Sequence, residues 1–100
     1  MLHSAFDTTR VVCKREIGGI PHEVCAEAVA TPNPGGQTVK IELRAFLRSE
    51  EQTHLGETLV PEWLPKPQTV VEGAEPAEMH KVVADVFASW CRRVEEALPG

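Results

Sequence analysis

No apolar run in this chain approaches the roughly 20 residues that a bilayer-crossing helix needs, so no membrane partner is expected. The first residues, Met1-Leu2-His3-Ser4-Ala5-Phe6-Asp7, carry no basic stretch followed by an apolar core, and a cytoplasmic location is expected. Cysteine is scarce: Cys13, Cys25 and Cys91 are odd in number and nowhere spaced CxxC. Among apolar neighbours they read as small buried or half-buried thiols, not as a disulfide framework. The histidines His3, His22, His54 and His80 are scattered without HxH or HxxxH spacing, so neither a metal nor a cofactor is expected. GxSxG, P-loop and GxGxxG motifs are also missing. Glu50-Glu51 and Glu95-Glu96 are adjacent, and adjacent carboxylates on a helix surface do not converge on one point. Nothing here assembles a catalytic centre.

A basic excess is lacking as well. The net charge of −5 is carried by the middle of the chain: residues 1–49 balance at +1, residues 50–75 hold −5 and residues 76–100 hold −1. Nucleic acid binders concentrate positive charge somewhere, so a nucleic acid partner is disfavoured. The cations that do occur, Arg10, Lys14, Lys40, Arg44 and Arg48, are interleaved with Glu16, Glu23, Glu27 and Glu42.

What is present begins with the last quarter. From Pro76 to Leu98, Met79, Val82, Val83, Val86, Phe87, Trp90, Cys91, Val94 and Leu98 recur at three- and four-residue steps, which is one wide stripe of an α-helix. Pro76 suits the first turn and Pro99-Gly100 ends it. Such a stripe needs a surface to cover it.

The first half supplies one. Thr9, Val11, Cys13 and Ile17 alternate with charged residues, and Gly18-Gly19 reads as a hairpin turn. Ile20–Ala30 could open a helix at Pro21, yet it reads better as a strand. With Ile17 facing Ile20, Lys14 meets Glu23 and Arg10 meets Glu27, while Cys13 meets Val24 and Val11 meets Ala26. A second turn falls at Thr31–Gly36, and Val39, Ile41, Leu43, Ala45 and Leu47 alternate beyond it. Pairing Ala26 with Ile41 sets Glu27 against Lys40, Glu23 against Arg44 and Val24 against Leu43. That pairing also places Phe46 beside Pro21 on the outer face, with Val12 beside Cys25. The expected fold is therefore α+β: one domain over residues 1–100, an antiparallel three-stranded meander packed on one long C-terminal helix.

Residues 49–75 are acidic, proline-broken and irregular, yet they contain Leu59, Val60, Trp63 and Leu64. Leu59–Leu64 is expected to fold over the open end of the core, with Trp63 as a plug, and Gln68–Glu72 to add a short fourth edge strand. The candidate ligand-binding residues are Arg15, His22 and Trp63. Arg15 and His22 face each other across the first hairpin on the helix side, where a cation beside an imidazole could hold an anion. Cys13 and His54 are further candidates for such a pocket. Two functions remain open: a non-catalytic protein-binding module that pairs with itself or with another protein, or a small-molecule or anion-binding protein, a minor enzyme included, with its pocket between the sheet and residues 55–67. Free strand edges favour the homodimer.

Overall fold

The computed structural model describes residues 7–49 and 58–99. The order is β1 (Asp7–Ile17), β2 (Ile20–Pro32), β3 (Thr38–Ser49), β4 (Gln68–Gly73) and α1 (Met79–Ala97), with a 3-10 turn at Pro76–Glu78 leading into the helix. The strands form one antiparallel sheet in sequence order, and the helix packs on one face of it. The expected α+β architecture is thus present, and the short fourth strand is part of it.

The first hairpin closes on Gly18 and Gly19, both at positive φ (61° and 79°), the backbone of a two-residue turn that matches strand twist. Its register is the one charge and polarity dictate: Ile17 faces Ile20, Lys14 faces Glu23 and Arg10 faces Glu27. The second hairpin differs from expectation by four residues. Ala26 faces Ala45, Glu27 faces Arg44, Glu23 faces Arg48 and Val24 faces Leu47. Phe46 consequently sits beside Cys25, not Pro21. The turn accounts for the shift. Asn33 N–H donates to the Thr38 carbonyl (2.9 Å), Asn33 Nδ2 donates to Thr38 Oγ1 (3.0 Å), and Gly35 and Gly36 take positive φ. This loop needs every residue between Pro32 and Thr38, so Pro32 pairs with Val39 and the rest of the ladder follows.

A shift of four preserves the faces, and the core forms as its polarity requires. Val24, Ala26, Ala28, Ala30, Val39, Ile41, Leu43, Ala45 and Leu47 point toward the helix, which buries Val83, Phe87, Trp90 and Val94 against them. The alanines of β2 and Ala45 of β3 let the two large rings sit close to the backbone. Trp90 is 1% exposed, and its Nε1–H donates to the Arg44 carbonyl (3.0 Å). Leu98, ahead of Pro99, is already extended (φ −65°, ψ 134°), because a residue before proline is pushed out of the helical region.

Two tethers close the ends. Leu59 exchanges backbone hydrogen bonds with Leu47 (both 2.8 Å), and Leu64 is buried in the core. Ala74 N–H donates to the Gln37 carbonyl (2.9 Å), fixing the chain between β4 and the helix. Among the described residues no helix is long and apolar enough to cross a membrane.

Candidate functional site

Arg15 and His22 are cross-strand partners, as expected, on the face of the sheet that carries α1. Each is committed elsewhere. Arg15 Nη2 pairs with the Glu95 carboxylate of α1 and Nη1 donates to the Lys14 carbonyl (3.1 Å). The hydrogen bond and charge of Glu95 raise the guanidinium further above its already high pKa. His22 turns back on its own strand: its Nδ1–H donates to the Ile20 carbonyl at 2.8 Å, since a carbonyl can only accept.

Trp63 lies elsewhere, half-buried against the core. With Ile17, Leu47, Leu59, Val60 and Pro61 it lines a cleft of about 350 Å³. Neither Arg15 nor His22 contributes to that lining, whose side chains are all apolar. The geometry therefore joins Arg15 to the helix and Trp63 to a greasy cleft, without bringing the three together around one ligand. Cys13 faces α1 instead, where it and Cys91 line the same small cavity of about 50 Å³. His54 lies outside the described residues. Among the described residues no group of histidine, cysteine and carboxylate side chains is placed to hold a metal.

The outer face carries a second arrangement that the alternation only half announces. Glu27 is 2% exposed although it stands on the face away from the helix. Arg10 from β1 and Arg44 from β3 both bond its carboxylate. Burial alone would raise the Glu27 pKa, but the two guanidinium groups outweigh it and hold the carboxyl below the ordinary glutamate value. Arg44 also stacks on the Phe46 ring (5.4 Å to its centre), Arg48 pairs with Glu23 (3.3 Å), and Arg48 Nη2 approaches Cys25 Sγ at 4.0 Å. These arginine stems lie over Cys25 and Phe46, both buried. Burial pushes the Cys25 thiol above its ordinary pKa in spite of Arg48.

A third arrangement runs along the edge of β1. Among the described residues its only strand neighbour is β2, and its pairing runs from Asp7 to Ile17 without a bulge or a proline. Val11, on the helix side, is 48% exposed because α1 sits over β2 and β3 and leaves the edge strand bare, and Val12, on the opposite face, is 43% exposed. The two-residue turn hydrogen-bonds Ile17 to Ile20, so odd-numbered residues of β1 direct their N–H and C=O groups to β2. Thr8, Arg10, Val12, Lys14 and Glu16 direct theirs outward. That is a ladder ready for another strand. No protein-family model, curated protein or solved structure matches the chain.

Proposed function

We propose that this chain is a small, non-catalytic protein-binding module that works as a homodimer, with the edge of β1 as its pairing surface. One observation carries this: an 11-residue edge strand, unbroken by bulge or proline, beside exposed Val11 and Val12. Edge strands that must stay single are usually short, bulged, interrupted by proline or studded with lysine, and β1 is long and unbroken with one lysine, Lys14. Val12→Pro is the direct test. Its N–H points outward, so proline there removes no bond to β2, and edge strands accept proline at such positions. The variant should keep the circular dichroism of the folded chain while its dimer dissociation constant rises about tenfold or more. A native chain that sediments as a monomer throughout the micromolar range would end the proposal.

The apolar cleft at Ile17, Leu47, Leu59, Val60, Pro61 and Trp63 supports a second role, in which a small apolar ligand or side chain enters between the sheet and the returning segment. Its lining favours an apolar guest over an anion. Titration with a fluorescent apolar probe should show saturable binding that Trp63→Ala abolishes. Equal binding by both proteins would dismiss the cleft as a site.

A further inference from the structure

We infer that two copies join β1 to β1 antiparallel with the two-fold axis at Cys13, so that Arg10 of each copy faces Glu16 of the other. This rests on the homodimer reading and specifies its geometry. Backbone parity narrows the choice first. Only residues with outward N–H and C=O groups can exchange bonds with a second strand, so even-numbered residues must face even-numbered ones. The axis then passes through a residue, and the central candidates are Val11, Val12, Cys13 and Lys14.

Side chains decide among them. An axis at Val12 sets Arg10 against Lys14 twice, and an axis at Lys14 sets that lysine against its own copy. An axis at Val11 gives Arg10 only Val12 and Lys14 only Thr8, and its one opposite-charge match, Asp7 with Arg15, draws on an arginine already paired with Glu95. With the axis at Cys13, two opposite-charge pairs form between Arg10 and Glu16, and Val12 lies against the stem of Lys14. Arg10 can serve both sides: it holds Glu27 through Nε and Nη2 while its side chain is 49% exposed, and the Nη1 donors of the guanidinium are left over. On the other face, exposed Val11 meets the stem of Arg15 from the second copy. Same-face pairing puts both helices on one side of a continuous sheet.

The register has a chemical signature. Cys13 directs its own N–H and C=O to β2, so Cys13 and its copy form a non-hydrogen-bonded pair with Cα atoms about 4.5 Å apart. That lies within the span of roughly 4.4–6.8 Å that a disulfide bridges. The test uses Cys91→Ser, which removes the competing thiol of the same cavity, oxidised with copper–phenanthroline at micromolar concentration. A linked dimer should form in Cys91→Ser and vanish in Cys13→Ser/Cys91→Ser. Glu16→Lys, an exposed change away from the core, should raise the dimer dissociation constant about tenfold or more by setting like charges opposite. A sedimenting dimer that neither cross-links at Cys13 nor responds to Glu16→Lys would overturn this register while leaving the homodimer standing. A monomer under all conditions would remove both.

Discussion

Replacing Trp90 with alanine is expected to lower the folding free energy by about 3–5 kcal/mol, the usual cost of deleting a buried aromatic ring. Total stability for a chain of this size is about 5–15 kcal/mol, so the variant should be marginal or unfolded. Trp90 merits the estimate because three supports meet on it. It is among the largest fully buried side chains, it donates to the Arg44 carbonyl in the middle of β3, and Arg93 lies over its ring (5.3 Å) while bonding Gln68 of β4 (2.7 Å). Trp90 and the Arg93 stacked on it therefore tie the helix to both strands of the sheet's far half. Trp90→Phe separates the contributions: it keeps an aromatic ring in the core but leaves the Arg44 carbonyl without its donor, so about 1–2 kcal/mol should be lost. Urea unfolding followed by circular dichroism measures both. A loss below about 1 kcal/mol for the alanine variant would mean that the helix does not dock on this residue.

Glu27→Gln should cost about 1.5–3 kcal/mol at neutral pH, because it strips charge from two hydrogen bonds made to a buried carboxylate. The lower part of that range is expected, since Arg10 and Arg44 are themselves 49% and 61% exposed and water screens them. The pH dependence has a definite sign. The folded carboxyl titrates below its ordinary value of about 4.3, so its contribution is complete above that value and is lost as pH falls through the lower, folded one. The stability curves of native chain and variant should therefore lie apart at neutral pH and converge in acid. Parallel curves down to the acid limit would show that Glu27 is not held ionised by its arginines.

The same residues show why the sequence disclosed the fold more fully than its second register. Lys40, Arg44 and Arg48 recur every four residues on β3, opposite Glu23 and Glu27, which are also four apart. Sliding β3 by four exchanges one set of opposite-charge pairs for another and leaves every apolar residue on its original face, so pattern alone has two equal solutions. The loop broke the tie, through backbone hydrogen bonds at Asn33 and Thr38 that composition does not reveal. The first hairpin had no such ambiguity, because Gly18-Gly19 allows one closure. The helix was legible from its stripe, and the return of Leu59–Leu64 from its apolar residues among prolines. Of the candidate site, the facing of Arg15 and His22 was readable from alternation, but the capture of Arg15 by Glu95 was not, since those residues are 80 apart in sequence. The burial of Glu27 was hidden for a related reason: strand periodicity assigns a face, not how densely neighbouring stems pave it.

The position of α1 has one more effect. Its buried side chains press on β2 and β3, whereas the contacts that hold β1 include its backbone ladder, half-buried Cys13 and Ile17, and the ion pairs of Arg10 and Arg15. The molecule therefore has a stiff centre and a margin that costs less to peel away. Peeling β1 parts the exposed Arg15–Glu95 pair, so this opening should respond to ionic strength, because exposed ion pairs are screened. A strand secured in this way can lift, turn and reseat without the helix leaving its bed.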